Sequence, residues 1–303
     1  MKIVKLVFSP RSPFSRLMTA DQLWGQMVWA VSDLDGEESA GRLVSEFKST
    51  PPFLVSAMMP NGFMYRPCLP PVTPDCSVPH DVQREERQKA KSNKSMKWLS
   101  VENFAELQKN PVCINSISFE ASPELHDRRE THVGISRLDL SAIDGQLFNV
   151  SYKSSESELV CYIKLLRDEE RYLKLVERTI ALWEKVNLGG DRNVGRGVFR
   201  IRLDELDASE KAVFDRKASG FMTLCRCSGD DLVPLRYTLS VYAGIVGCGI
   251  NSGNNQTYYN KKPVVGFEPG SVFSSGMGSL VCNVNTDDRV CTYSYAFPIP
   301  FDL

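Results

Sequence analysis

The 303-residue sequence has almost no net charge and no long apolar run. Its 36 Lys and Arg residues are offset by 37 Asp and Glu residues, so the net charge is −1 and no overall electrostatic attraction draws the chain to nucleic acid. Any nucleic-acid contact must therefore come from local basic patches. No apolar segment reaches the length of a membrane span, and the stretch Met1–Phe8 is too short for a signal peptide. We expect a cytoplasmic protein without membrane contact.

Metal-binding and disulfide patterns are also lacking. The nine cysteines are odd in number and scattered, which is typical of free thiols in a reducing cytoplasm. Only Cys225 and Cys227 are closely spaced, and a single C-x-C pair is a poor zinc signature. We therefore predict no metal site and no cofactor.

The most informative stretch that is present runs from Leu159 to Leu203. Alternating apolar residues over Leu159–Leu165 predict a half-buried strand, and an apolar stripe from Tyr172 to Val186 predicts an amphipathic helix. A glycine-rich basic loop follows, then a second alternating strand that ends at Leu203. Four glycines within nine residues let the loop backbone take positive φ and approach a ligand closely.

This loop is not a phosphate-binding P-loop, although Gly190 and Arg196 have its spacing. Arg196-Gly197 replaces the required Lys-Ser/Thr, and the order is helix–loop–strand where a P-loop has strand–loop–helix. Two interpretations stay open from the residues alone. The loop contacts a polyanion backbone, or it is a helix C-cap and turn with Gly189 at the C′ position.

A helix, a loop of the form G-G-x-R-x-x-G-x-G and a strand resemble the glycine-rich signature of the RAMP superfamily of CRISPR-associated RNA-binding proteins. Further segments, in the same order along the chain, resemble the family of fourth subunits of type III-A (Csm) effector complexes, the Cas-five group that holds the crRNA 5′ tag. These segments are Asp21–Met27, Met64–Pro71, Arg128–Leu138 with Gly145–Val150, Gly266–Phe273 and Tyr293–Phe301.

The order of elements predicts the fold class. A strand over Lys2–Phe8, then a helix with Thr19 as N-cap and Gln22 completing a capping box, then the 159–203 unit match a βαββαβ ferredoxin-like order. We expect an α+β protein with two ferredoxin-like (RRM-like) RAMP domains, residues 1–205 and 206–303. A basic loop or helical segment is inserted at about residues 60–111.

Several finer elements are also predicted. The segments Arg128–Leu138 and Gly145–Val150 should form a hairpin, and the strand Leu147–Tyr152 should pair with Leu159–Leu165. Further strands are expected at Met222–Cys227, Tyr237–Ala243 and Cys291–Phe297. The basic run from Gln83 to Trp98 is either a solvated helical face or, as the resemblance implies, a lysine-rich clamp on the guide.

The resemblance implies RNA binding across the sheet side, by glycine loops through backbone N–H groups and by arginines at phosphates. It implies three partners: the repeat-derived 5′ tag of crRNA, the large polymerase-like CRISPR subunit and the backbone RAMP subunit. The candidate RNA-binding residues are Arg11, Arg16, Arg66, Lys94, Lys97, Trp98, Arg129, Thr131, His132, Arg137, Gly189, Gly190, Arg192, Asn193, Gly195, Arg196, Gly197, Gly270 and Ser271.

Three alternatives stay open: the equivalent subunit of a type III-B Cmr complex, a standalone RAMP endonuclease that cuts precursor CRISPR RNA, or an assembly scaffold that touches no RNA. The endonuclease needs a histidine general base, and the candidates are His80, His126 and His132. Only His132 lies in a basic hairpin. No Ser-His-Asp order stands out, and Gly189-Gly190-Asp191 lacks the second acid of a two-metal site. We therefore expect a binding subunit and not an enzyme.

Overall fold

The protein is a mixed α+β structure, as the sequence predicts. The computed structural model describes residues 2–70, 79–111, 125–246 and 260–303. The helices are α1 (Ala20–Asp35), α2 (Glu37–Ser49), α3 (His80–Ser95), α4 (Val101–Lys109), α5 (Glu169–Val186) and α6 (Ala208–Phe214). The strands are β1 (Lys2–Pro10), β2 (Phe53–Val55), β3 (Met59–Pro60), β4 (Phe63–Tyr65), β5 (Trp98–Ser100), β6 (His126–Ile135), β7 (Ala142–Ser154), β8 (Leu159–Leu165), β9 (Phe199–Asp204), β10 (Phe221–Thr223), β11 (Val233–Arg236), β12 (Leu239–Tyr242), β13 (Val264–Phe267), β14 (Val272–Ser275), β15 (Gly278–Val281), β16 (Thr292–Tyr295) and β17 (Pro298–Pro300).

The first sheet has the strand order β2–β8–β1–β9, and every neighbouring pair is antiparallel. Along the chain its elements follow as β1, α1, β2, β8, α5 and β9, which is the βαββαβ order of a ferredoxin-like unit. The ferredoxin-like prediction is therefore confirmed for this part of the chain. The second helix, α2, was not predicted; it follows α1 directly after Gly36, whose φ of +86° ends the first helix.

The two predicted amphipathic helices form where expected. The Thr19 N–H donates to the Gln22 side chain at 3.2 Å, so the first helix begins with its capping interaction. Leu23, Trp24 and Met27 are buried on its inner face. In α5 the stripe from Tyr172 to Trp183 is buried, but Val186 in the last turn is 38% exposed.

Both faces of the central strands are covered. Leu6 and Val7 are neighbours in β1 and point to opposite faces of the sheet, yet they are 1% and 0% exposed. The second face is covered by α6, where Glu210 contacts Lys5 at 2.6 Å. These strands therefore leave no open face of the sheet for the RNA that was predicted to lie across it.

After Phe214, all the regular secondary structure of the described residues is β-strand. A four-stranded sheet has the order β11–β14–β10–β17, and β12–β13 and β15–β16 form two separate ribbons. The predicted strands Tyr237–Ala243 and Cys291–Phe297 are confirmed as the shorter β12 and β16, whereas β10 overlaps the predicted strand Met222–Cys227 only at its first two residues. One hydrophobic cluster extends from Val4 to Phe301, and in it the Tyr293 ring packs on Trp24 and Phe47. The domain boundary at 205/206 stays a prediction, since this core continues across it.

The predicted hairpin is present, but one predicted strand pairing is wrong. Strand β7 pairs with β6 from His126–Ser154 to Ile135–Ala142, whereas β8 lies between β1 and β2 in the first sheet. The reason is burial: β8 is an apolar central strand with both edges already paired, and most of β7 is exposed. The hairpin therefore projects as a ribbon of its own.

The inserted segment is anchored at both ends. Strand β5 pairs with β4, so that Trp98 lies opposite Tyr65, and the Phe104 and Leu107 side chains of α4 are fully buried. The basic run forms helix α3, in which Arg84, Arg87 and Lys91 are exposed. The side chains of His80 and Lys94 lie outside the described part of the structure. None of the helices in the described ranges combines the length and the apolar character needed to cross a membrane.

Candidate nucleic-acid interface

The β1–α1 loop, residues 11–19, connects the predicted RNA-binding elements. On one side the Gly197 N–H donates to the Pro13 carbonyl at 3.0 Å, and the Arg11 N–H donates to the Val198 carbonyl at 2.8 Å. On the other side Phe14 and Lys153 exchange two backbone hydrogen bonds of 2.9 and 2.7 Å. The loop thus holds the glycine loop and the base of the β6–β7 hairpin together. Arg11 and Arg16 are exposed on it.

The glycine loop, residues 187–198, uses its glycines for two purposes. At Gly197 φ is +68°, and a Cβ there would lie 1.8 Å from the Leu188 carbonyl oxygen, so this glycine is required by packing. At Gly195 φ is +78°, but a Cβ would meet no atom within 4 Å among the described residues. Gly189 and Gly190 lie against the Ser15 side chain. The loop is therefore a tightly packed turn with an open tip.

The open tip carries the free charge of the loop. A short 3₁₀ turn over Arg192–Val194 is exposed, and so are Asp191 and Gly195 on either side. Within the described ranges no hydrogen bond or ion pair is found for the Arg192 guanidinium. Arg192 and the neighbouring Asn193 are therefore available to a ligand in the way the sequence predicts.

Arg196 differs from Arg192 because its guanidinium is already paired. It contacts the Glu130 carboxylate of β6 and lies 4.8 Å over the Tyr152 ring of β7. The Tyr152 hydroxyl in turn donates to the Asp191 carboxylate at 3.2 Å. These contacts fasten the hairpin to the glycine loop, so the predicted RNA contact of Arg196 competes with a structural role.

The hairpin separates its candidate residues onto two faces. Arg129 and Thr131 lie on the exposed face, where the Thr131 hydroxyl donates to Asn149 at 2.8 Å, and Arg137 is exposed at the tip. His132 lies on the other face, with its ring stacked on Phe148 at 5.7 Å and its Nε2 3.9 Å from a Glu130 oxygen. That Nε2 is buried without a hydrogen-bond partner in the described residues.

The end of the β1–α1 loop lines a cleft of about 240 Å³, which we call the cationic cleft. Its wall contains three cations, Arg66, Lys97 and Arg226, and one carboxylate, Glu268. Two of the sequence segments noted above meet here, the strand β4 with its exit and the turn between β13 and β14, together with Thr19 before α1. Sequence reasoning missed Arg226, whose signal was an arginine inside the apolar run Met222–Cys227.

Charge in the cationic cleft is unevenly compensated. Arg226 forms an ion pair with Glu268, in which its Nη2 lies 3.2 Å from a carboxylate oxygen. Its guanidinium also lies 4.5 Å from the centroid of the Tyr242 ring. Arg66 and Lys97 have no carboxylate at ion-pair distance among the described residues. Burial lowers the pKa of both side chains, and Glu268 offsets this only partly for Lys97. The Arg66 Nε is buried without a described hydrogen-bond partner. An anionic ligand would therefore be stabilised here.

Two aromatic rings, those of Tyr65 and Trp98, contact the Lys97 ammonium group of the cationic cleft. The Lys97 ammonium lies 4.8 Å from the Trp98 ring centroid and 5.7 Å from that of Tyr65. The two rings pack on each other at 4.4 Å, and both are buried. Trp98 therefore supports the lysine from inside, and its predicted direct contact with RNA does not fit this burial.

Gly270 and Ser271 do not fit their predicted RNA contact either. The Gly270 φ is +95°, and a Cβ there would lie 2.3 Å from the Arg66 carbonyl oxygen. Its N–H donates to the Thr223 carbonyl at 2.9 Å, and Ser271 is 0% exposed. Both residues lie inside the protein because the β13–β14 turn packs on the strand exit after Tyr65. They shape the wall of the cationic cleft.

Metal-binding groupings are absent from the described ranges. No three His, Cys, Asp or Glu side chains there come close enough together to hold a metal ion. His132 has a single carboxylate neighbour and lies against aromatic rings. The arrangement can bind an anion through the cationic cleft and the loop tip.

Comparison with known proteins agrees with this architecture. Residues 77–200, which include the hairpin, α5 and the glycine loop, match the family model of the RAMP superfamily. This match covers less than half of the chain, so it records a similarity to the RAMP superfamily. No curated protein matches it.

Solved structures match the fold of this chain over nearly its whole length. A chain of the Csm3-Csm4 subcomplex in the type III-A CRISPR-Cas interference complex is 16% identical, with a TM-score of 0.63 and coverage of 99% of this chain and 100% of that chain. A chain of the Csm1-Csm4 cassette in complex with cA4 is 16% identical, with a TM-score of 0.63 and coverage of 99% and 98%. The cassette in complex with AMPPNP gives 16% identity, a TM-score of 0.60 and the same coverage. At these identities the likeness is one of fold.

Proposed function

We propose that the chain is the crRNA-binding subunit of a type III-A CRISPR interference ribonucleoprotein and holds the repeat-derived 5′ tag of the guide. The observation that carries this proposal is the cationic cleft. It brings Arg66 and Lys97 together at the start of α1, without carboxylate partners among the described residues. Two cations without described carboxylate partners, the half-buried Arg66 and the exposed Lys97, suit a phosphate of single-stranded RNA in a cleft of about 240 Å³.

The β1–α1 loop gives the RNA a continuous path. Its end lines the cationic cleft, its first residues contact the glycine loop, and it carries the exposed Arg11 and Arg16. The Arg192 tip extends this basic surface beyond Ser15. Contacts of this kind position a phosphate backbone, and the bases remain free to be read by neighbouring groups.

The proposed role needs no chemical step. His132 lies in the basic hairpin and is the histidine to consider as a general base. A general base must be able to reach the proton that it removes. Its Nε2 is buried beside the Arg196–Glu130 pair and holds no described hydrogen bond. We infer a binding subunit and not an endonuclease.

Two partners complete the proposal, the large polymerase-like subunit and the backbone RAMP subunit, which the chain would bridge. The matched structures are named as Csm1-Csm4 and Csm3-Csm4 assemblies, which supports both. The chain also has exposed apolar surface: alternate residues from β11 through the connection to β12 are each 47–67% exposed. They are Val233, Leu235, Tyr237, Leu239 and Val241.

The proposal is tested by the RNA and the subunits that copurify with the tagged chain from its native cells. We expect RNAs that share one repeat-derived 5′ end, together with a polymerase-like subunit and a backbone RAMP subunit. Copurification with the corresponding Cmr subunits would assign the chain to type III-B. Purified chain alone should bind labelled repeat RNA without cutting it in the absence of divalent metal. Site-specific cleavage that is lost in His132→Ala would contradict the binding role.

The two arginines of the glycine loop should respond differently to replacement. Arg192→Ala removes a free guanidinium, so we expect weaker RNA binding, a salt dependence of log K reduced by about 0.7 per lost phosphate contact, and unchanged stability. Arg196→Ala removes the contacts to Glu130 and Tyr152, so thermal stability should fall. Equal loss of RNA affinity in both variants, with neither destabilised, would show that the Arg196–Glu130 pair is dispensable.

A further inference from the structure

The two cysteines at the open end of the β15–β16 ribbon lie opposite each other. The last pair of the ribbon is Val281 with Thr292, and the register continues by one position to Cys282 and Cys291. Directly opposite residues of antiparallel strands share one face of the ribbon and have the shortest distances between their Cβ atoms. The backbone therefore brings these two side chains together without help from a ligand.

The thiols are already in contact. Their Sγ atoms are 3.5 Å apart, and a disulfide needs a sulfur–sulfur distance of about 2.05 Å, which side-chain rotation across a strand pair can supply. Cys291 is buried at 4% exposure, and Cys282 is half-buried. An oxidant from solvent therefore reaches Cys282 first. By contrast, the half-buried Cys68 has the Thr238 hydroxyl as its neighbour.

The surroundings give the two thiols different roles. Burial, together with the neighbouring Cys282, raises the pKa of Cys291 to about 12, while the ammonium groups of Lys48 and Lys261 oppose the shift. Lys261 also donates to the Cys291 carbonyl at 2.6 Å, so a positive charge stays close to the pair. Cys291 is thus the protonated, protected partner, and the more accessible Cys282 is the thiol that meets the oxidant.

We propose that Cys282 and Cys291 are an oxidation site that hydrogen peroxide converts into a cross-strand disulfide. The Cys282 thiolate attacks one peroxide oxygen and becomes a sulfenic acid, with release of hydroxide, which takes up the thiol proton to give water. The Cys291 sulfur then attacks the Cys282 sulfur; the S–O bond breaks, the S–S bond forms, and the thiol proton leaves with the hydroxyl as a second water. In total two thiols lose two electrons to one peroxide, and thiol reductants reverse the product.

The disulfide would close the turn of residues 283–290. This turn touches α2 at two points: Lys48 Nζ donates to the Asp288 carbonyl at 3.5 Å, and Arg289 lies 3.9 Å from Glu37. The next residues of β16 lead directly to Tyr293, which is 1% exposed in the main core. Oxidation would therefore fix the turn against α2 and leave the cationic cleft untouched, because neither cysteine lines it.

The test is peptide mapping of the folded full chain after treatment with hydrogen peroxide, with remaining thiols blocked by N-ethylmaleimide before digestion. Trypsin cuts after Arg289 and so separates the two cysteines, Cys282 in Lys262–Arg289 and Cys291 in Val290–Leu303. We expect these two peptides to be joined in one species, about 2 Da lighter than their sum and split by dithiothreitol. Recovery of both peptides as separate maleimide adducts or sulfinic acids, or of Cys282 joined to another cysteine, would overturn the proposal.

A matched pair of variants adds a control. Cys282→Ser should abolish the joined species, and Cys68→Ser should leave it unchanged, since Cys68 has no cysteine as its described thiol contact. The wild-type measurement decides the matter even where a serine variant folds poorly. Loss of the joined species in Cys68→Ser would count against a pair set by the β15–β16 register.

Discussion

Replacement of both Arg66 and Lys97 by alanine should weaken binding of the 5′-tag RNA by about 10²–10⁴-fold, because charged hydrogen bonds contribute roughly 1.5–3 kcal/mol each. These two side chains lack a described carboxylate partner, so their loss leaves no internal charge unpaired and the fold should stay intact. The slope of log K against log salt should fall by about 0.7 for each phosphate contact removed. Fluorescence anisotropy with the copurified tag sequence, over a range of salt, measures both quantities.

Two control variants make this result specific to the cationic cleft. Arg42→Ala removes an exposed arginine of α2 that pairs with Glu38 and does not line the cleft, so affinity should be unchanged. Lys97→Arg keeps the charge over the Trp98 ring and should retain most of the binding. Unaltered affinity and slope in a folded Arg66/Lys97 double variant would remove the cationic cleft from the proposed function.

Glu210→Ala should be among the most destabilising single substitutions in the chain. Its carboxylate is 0% exposed, 2.6 Å from the Lys5 ammonium, and it also accepts from the Tyr162 hydroxyl at 2.6 Å. Removal leaves the buried lysine and tyrosine without their acceptor, which costs about 3–5 kcal/mol of the free energy of unfolding. It also removes the capping box of α6, in which the Asp207 N–H donates to Glu210 at 3.0 Å. Urea denaturation measures the loss.

The double variant Lys5→Met, Glu210→Leu tests the mechanism of this loss. It removes both charges and fills the same space with apolar groups, so it should recover a large part of the stability lost in Glu210→Ala. Glu38→Ala is the surface comparison, because this carboxylate is highly exposed in its ion pair with Arg42 and its removal should change stability little. A double variant as unstable as the single one would show that packing, and not the buried charge, sets the cost.

Local sequence patterns were enough to predict the elements whose pattern is contained in one stretch. The apolar stripe of α5 and the alternation of β8 identify both elements, because the period of a helix or strand is visible in consecutive side chains. The capping pair Thr19–Gln22 marks the start of α1 for the same reason. The βαββαβ order of the first sheet follows from these elements and their connection lengths.

Predictions failed where the outcome depended on partners far away in the chain. Strand β7 was expected beside β8, but β8 has β1 on one edge and β2 on the other, and only the assembled sheet shows that both edges are taken. The segment around Gly270 has the composition of a ligand-binding loop. A side chain at this position is excluded, however, by the carbonyl oxygen of Arg66, about two hundred positions earlier in the sequence. A glycine in the sequence indicates that a side chain is not tolerated there, but it does not indicate whether a ligand or another part of the protein occupies the space.

The sequence by itself determined the class of fold, the ferredoxin-like order of the first sheet and the basic character of the glycine loop. The tertiary structure alone decided which charges are free. Arg192 and Arg196 are four residues apart in one loop, but Glu130 of the hairpin neutralises only Arg196. Likewise Glu268 forms its ion pair with Arg226, so Arg66 and Lys97 have no described carboxylate partner in the same cationic cleft. Charge compensation acts over a few ångströms in space, and those distances are set by packing between segments that the sequence keeps far apart.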